Sequence, residues 1–306
     1  MRHLKLLSLL LLAACLASGA EQAGLAGPVS GVLFDPQTKA IRPMVGVPGA
    51  AYLGGAFASG LEQAAVSPSG KLALAVAQGR TLLIAIGAES RSRALEGALE
   101  GASRIVWIDA SSAVLAGAGR VQLWRSLDAA PELAAAGDLG GEILALAASS
   151  DSIVAAVRGG VYQIRRDAPA RLLAAFEDPS ALAVWERDLF VADRERGEIA
   201  VVRNFETGAG AEFFARFAGT AGLAAADGLL FAASREARTL SAFRIAGGET
   251  AGEVALDFEP TGIERLSGPL FLLNRGGELE PFYVLDSSQG LAVYFVPAGA
   301  VSITEE

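Results

Sequence analysis

Histidine and cysteine are almost missing from this chain. Among 306 residues they occur once each, as His3 and Cys15, and both lie within the first 20 positions. A chain processed after that stretch keeps no imidazole, and no thiol beyond a modified one. This excludes Ser-His-Asp and Cys-His catalysis, zinc or iron held by His or Cys, and disulfide staples. Lysine is scarce too, 3 against 22 arginines, and the 25 basic residues are outnumbered by 34 acidic ones. A balance of that sign argues against general nucleic-acid binding, which needs a basic face. Although 52% of the residues are hydrophobic, alanine inflates that share. No apolar run beyond the N-terminus reaches the roughly 18 to 20 residues that span a bilayer, and no 3.6-residue apolar period persists over about ten residues.

The first 20 residues read as a signal peptide. Arg2, His3 and Lys5 form a basic start, Leu6–Ala14 an apolar stretch too short to span, and Ser18-Gly19-Ala20 a small-residue cleavage site. Inside it, Leu12-Ala13-Ala14-Cys15 resembles the lipobox of bacterial lipoproteins. That resemblance implies cleavage before Cys15, a lipid on its thiol and, with Leu16 following, an outer-membrane address facing periplasm or surface. Cleavage after Ala20 is the alternative and would give a soluble exported protein. A lipid anchors a protein to a bilayer without threading it through. Loss of Arg2 and Lys5 leaves 23 basic against 34 acidic residues, a charge near −11. Residues 21–29 read as a tether, 30–300 as one domain and 301–306 as a tail.

Within that domain, short apolar segments alternate with turns too short for a crossover helix. Ala181–Trp185, Leu189–Ala192 and Glu198–Val202 are separated only by Glu186–Asp188 and Asp193–Gly197, so neighbouring strands must be antiparallel. The phrase recurs with a period of about 40 residues, and repeats that cannot bury their own faces must stack. The reading is all-β: a six-bladed β-propeller closed by pairing of its N- and C-terminal strands. Five four-strand units are complete. Phe282–Val296 aligns with Leu189–Val202 as middle strands lacking an outer one, and the Ser30–Val45 hairpin has outer-strand character. Pairing the two ends removes exposed edges. Seven blades is the alternative, if Thr261–Asn274 belongs to a separate unit.

The phrases LFVADRERGEIAVV and FYVLDSSQGLAVYFV share an apolar–Val–x–Asp–x–x–x–Gly–x–apolar outline and resemble NHL-repeat and YVTN-type propellers. The likeness is clear in two repeats and loose elsewhere. It implies the fold and no activity.

Three sets of residues are candidates for function. Arg80, Arg120, Arg158, Arg194, Arg196, Arg235 and Arg238 fall in the second-to-third turns of the five complete repeats. Those turns lie on one face of a propeller, and guanidinium forks suit carboxylates, phosphates or sulfated sugars; the competing reading is neutralisation by Asp193, Glu195 and Glu236 in exposed pairs. Asp109, Asp151, Asp188 and Asp227 lie in or near first turns. Aspartates there bond their own backbone more readily than they converge on a cation. Trp107, Trp124 and Trp185 lie within strands, where blade packing needs bulk. The function expected is therefore non-catalytic binding of a protein partner or an anionic or glycan ligand at the channel mouth of a monomer, with no metal and no cofactor. A carboxylate- or cation-dependent hydrolase or lyase in the channel, and an envelope assembly scaffold, are the alternatives.

Overall fold

The computed structural model describes residues 27–208, 210–274 and 280–298; Cys15, the signal segment, most of the tether and the tail lie outside them. The strands form seven separate antiparallel sheets, each running outward from an innermost strand. Blade 1 has three strands, Val29–Asp35, Ala40–Val45 and Tyr52–Leu53. Blade 2 comprises Gln63–Val66, Leu72–Ala77, Arg80–Ala85 and Arg91–Ala94. Blade 3 follows with Arg104–Trp107, Ala113–Gly117, Arg120–Arg125 and Glu132–Asp138, and blade 4 with Ala145–Ala148, Ile153–Val157, Gly160–Ile164 and Arg171–Ala174. Pro179–Trp185, Asp188–Asp193, Glu198–Val202 and Glu212–Arg216 make blade 5. Thr220–Ala226, Leu229–Ser234, Thr239–Arg244 and Thr250–Ala255 make blade 6. Blade 7 is Glu264–Ser267, Leu270–Leu272, Phe282–Asp286 and Ala292–Val296.

The second strands of blades 2 to 6 have a neighbour on both faces and a near-continuous apolar run in their centres for that reason. In Leu72–Ala77, side-chain alternation sends Leu72, Leu74 and Val76 into the core shared with blade 3, and Ala73 and Ala75 into the core shared with blade 1. In blade 5, Leu189 and Val191 face blade 4 while Phe190 and Ala192 face blade 6. Between blades 4 and 5 large residues meet small ones, Leu189 and Val191 packing with Ala145, Ala147 and Ala156, which gives the alanines a packing role.

Every pair of adjacent blades shares one apolar cluster, and so do the first and last. Leu33, Met44 and Leu53 of blade 1 pack on Leu272, Phe282 and Val284 of blade 7. The ring is closed. Its inner rim is tied by side chains reaching backbone carbonyls in or beside the adjacent blade: Gln63 Nε2 to Ser103 O at 3.1 Å, Arg104 Nε to Ile143 O at 2.9 Å, Ser180 Oγ to Thr220 O at 3.2 Å and Arg265 Nη2 to Ala225 O at 3.1 Å. At the closure Ser267 Oγ donates to Ser30 O at 2.6 Å. Such bonds satisfy part of the edge that each innermost strand presents.

Seven blades, the alternative, replaces the six expected, and the terminal strands do not pair. Phe282–Asp286 and Ala292–Val296 are the third and outermost strands of a complete blade whose inner pair is Glu264–Ser267 and Leu270–Leu272. An apolar–Asp–turn–Gly outline reports a hairpin and not which hairpin of a blade it is. The Ser30–Val45 hairpin, expected to be outermost, is innermost, and the Gly/Ala stretch after it supplies the third strand of blade 1. Arg42 braces that short strand: its Nε donates to Gly54 O at 2.9 Å and its Nη2 to Leu53 O at 3.1 Å, while Nη1 lies 3.1 Å from the buried Asp35 carboxylate.

Candidate functional site: the arginine-bearing face

Two-residue turns with positive φ at both positions place the first arginines. Gln78 and Gly79 (φ 51° and 72°), and Ala118 and Gly119 (φ 50° and 79°), have the type I′ geometry that matches strand twist. Arg80 and Arg120 therefore open their third strands, opposite Ala77 and Gly117. The connectors leading to the next blade run beside these turns on the same face: Gly101 N donates to Gly79 O at 2.7 Å, Leu139 N to Gly119 O at 3.0 Å, Phe217 N to Gly197 O at 3.0 Å and Leu256 N to Arg238 O at 2.7 Å.

All seven arginines named from the sequence are exposed. They divide into two groups. Arg194 lies 3.0 Å from Asp178, Arg238 2.9 Å from Glu259, and Arg196 3.6 Å from Asp193 and 3.9 Å from Glu198. Among the described residues no carboxylate lies within 4 Å of Arg80, Arg120, Arg158 or Arg235. Of the three acids expected to neutralise the arginines, only Asp193 does so. Its carboxylate is buried, one oxygen accepting from Glu195 N at 3.1 Å and the other facing Arg196 beyond hydrogen-bond distance. The remaining neutralising groups belong to connectors or to the adjacent strand.

Beside Arg120 lies a cavity of about 660 Å³ lined by Arg104, Asp138, Glu142 and the backbone of Gly117, Gly119 and Gly141. Arg120 stands opposite Asp138 in the ladder. The lining offers a guanidinium, two carboxylates and bare peptide groups. It suits a polar, hydroxylated ligand better than an apolar one. Arg104 is marked in the sequence only by its place, a polar residue opening an innermost strand about one period after Gln63.

The four aspartates stay in their own turns or pair locally. Asp109 accepts from Ser111 N at 2.8 Å, Asp151 pairs with Arg125 at 2.8 Å, and Asp188 pairs with Arg203 at 2.5 Å and accepts from Asn204 N at 3.0 Å. Asp227 sits in a turn at φ 51°. Among the described residues no three His, Cys, Asp or Glu side chains gather as a metal site. The tryptophans belong to packing: Trp107 Nε1 donates to Ala65 O at 2.9 Å, Trp124 is buried with its Nε1 on Gln122 at 3.1 Å, and Trp185 packs against the core between blades 5 and 6.

No family model matches the chain, and no curated protein matches it. Solved structures do. PorZ of Porphyromonas gingivalis, described as an essential bacterial surface component of the type-IX secretion system, aligns at 13% identity and TM-score 0.62 over 90% of this chain and 38% of its own. This chain thus spans well under half of PorZ. Virginiamycin B lyase from Staphylococcus aureus, in a variant inactivated by replacing a histidine, aligns at 13% identity and TM-score 0.57 over 78% of this chain and 84% of its own. Saccharomyces cerevisiae Sqt1 aligns at 10% identity and TM-score 0.57 over 92% of both chains. At these identities the likeness carries the β-propeller fold alone. Among the described residues no helix is long and apolar enough to cross a membrane.

Proposed function

We propose that this chain is an exported, lipid-anchored propeller that binds an anionic or glycan-bearing partner through the face carrying Arg80, Arg120 and Arg158. One observation carries the reading: three consecutive blades, 2 to 4, present exposed arginines with no carboxylate partner among the described residues, and a polar cavity lies beside the middle one, Arg120. On a chain with net charge −9, guanidinium groups left unneutralised are the places where an anion gains most. The lipobox-like Leu12–Cys15 supports the anchor, and the likeness to a cell-surface component agrees with export. The lyase neighbour lends less support to an enzyme, because its inactivated variant lacks a histidine and the sole histidine here, His3, falls in the expected signal segment.

The test is a titration of the folded chain with sulfated dextran, polygalacturonate and neutral dextran at two salt concentrations. Binding to the two polyanions should weaken with salt, and the triple substitution Arg80→Gln, Arg120→Gln, Arg158→Gln should remove most of it with the melting temperature unchanged. Binding that survives the triple substitution would move the site elsewhere. Cys15→Ala should release the protein from the membrane fraction; unchanged fractionation would discard the lipid anchor.

A further inference from the structure

The outermost strands of the blades are the ring's outer edge, and six of the seven are blunted. Blade 1 ends in a strand of two residues, and blade 2 carries Arg91 and Arg93. In blades 3, 4, 5 and 6 the pairing to the outermost strand shifts register at a bulge. Each of those four strands also carries a charge: Glu132, Arg171, Glu212 and Glu253 respectively. Short length, charge and bulges are the devices by which natural sheets refuse a further strand. The outermost strand of blade 7 has none of them. Ala292–Val296 pairs with Phe282–Asp286 in unbroken register and holds no charged residue.

Phe295 on this strand is 63% exposed. Phe213, comparably exposed in blade 5, lies under the Arg216 guanidinium at 5.7 Å; among the described residues no cation covers Phe295. Phe295 stands opposite Tyr283, whose ring stacks on Phe258 at 3.6 Å. The crevice between blades 6 and 7 therefore opens beside three aromatic residues. Its upper end is acidic. Exposed Asp257 and Glu280 lie close enough to the Tyr283 phenol that, after burial, they are the main causes raising its pKa.

We propose that Ala292–Val296 receives an extended segment of a partner protein as an added antiparallel strand. The segment carries an apolar side chain over Phe295 and a basic residue near its N-terminal end, where Val296 meets Phe282 and the Asp257 and Glu280 carboxylates stand. Main-chain bonds supply the affinity in such strand addition, and alternate side chains supply the specificity. A second copy of this chain fits less well. It would bring two bodies of net charge −9 together over one five-residue strand, far less surface than the roughly 1,200 Å² of a stable interface.

The probe is a fluorescein-labelled peptide, Lys-Thr-Val-Thr-Ile-Thr-Val, titrated against the folded chain by anisotropy. A peptide N-methylated at alternate residues, which cannot extend the ladder, should not bind, and replacing its Lys by Glu should weaken binding severalfold at low salt. Phe295→Lys should weaken binding by about tenfold or more with the melting temperature unchanged. Should that variant fold poorly, the exposed pair Asp257→Asn and Glu280→Gln should still abolish the preference for Lys over Glu. Absence of binding, or equal binding of the N-methylated peptide, overturns the proposal. A dimer in sedimentation that Phe295→Lys dissociates would install a second copy on the edge instead. Binding that appears only after residues 299–306 are removed would assign the edge to this chain's own end.

Discussion

Blades 3 to 6 and the junction of blades 7 and 1 solve the same problem by different means. The regular blades have four strands, bulged and charged at the outer edge, and present arginines on one face. At the junction a three-stranded blade meets one whose outermost strand is unbulged and uncharged. Among the described residues no strand is shared, and closure rests on one apolar cluster with the Ser267–Ser30 hydrogen bond. A propeller ring therefore closes wherever the two end blades present matching faces. A shared sheet is one route to closure and not a requirement, because the area buried between blades is supplied by side chains and not by ladder bonds.

Truncating one large buried side chain in each region measures the comparison most forcefully. Phe190 is fully buried and meets Phe214 edge-on at 4.9 Å, so Phe190→Ala should cost about 3–5 kcal/mol, and Met44→Ala at the junction about 2–4 kcal/mol. Both should shift a single urea transition; a separate early transition with Met44→Ala alone would show the junction opening on its own. Asp35→Ala comes next, since it strands Arg42 in blade 1 with little solvent to compensate, and should cost about 3 kcal/mol in the same assay. In the regular arc Trp107→Phe keeps an aromatic ring in place but loses the bond to Ala65 O, and at least about 1 kcal/mol is expected.

The smallest effect concerns pH. Burial first, then Asp257 and Glu280, raise the Tyr283 phenol above its ordinary value. An unfolded tyrosine loses its proton near pH 10, so the native state retains its proton longer. The contribution is complete below about pH 10 and is lost as pH rises through the native value. Ultraviolet titration of wild type against Tyr283→Phe should show one phenol ionising late, and the substituted chain should lose less stability in alkali.

Much of the ring was legible in the sequence because local chemistry specifies hairpins. The run Leu72–Ala77, a turn over Gln78-Gly79-Arg80 and a third strand from Leu82 follow from alternation and turn residues alone; the structure starts that strand two residues earlier, at Arg80. What escaped was order beyond the hairpin. Phe282–Val296 looks like Leu189–Val202, yet the first is the outer hairpin of its blade and the second the middle one; only the neighbours decide. The neutralisation of Arg194 and Arg238 was equally hidden, because Asp178 and Glu259 stand 16 and 21 residues away on connectors whose course is set by the ring.

Blades 7 and 1 close the ring by packing face to face. A β-carbon added at Gly31 would lie 3.7 Å from that of Leu266, within the range that a disulfide spans. In a Cys15→Ser background, Gly31→Cys with Leu266→Cys should form an intramolecular disulfide under mild oxidation, migrate faster without reductant, and raise the melting temperature by constraining a very long loop. Two thiols that stay free and maleimide-reactive in the folded protein under the same conditions would contradict the closure.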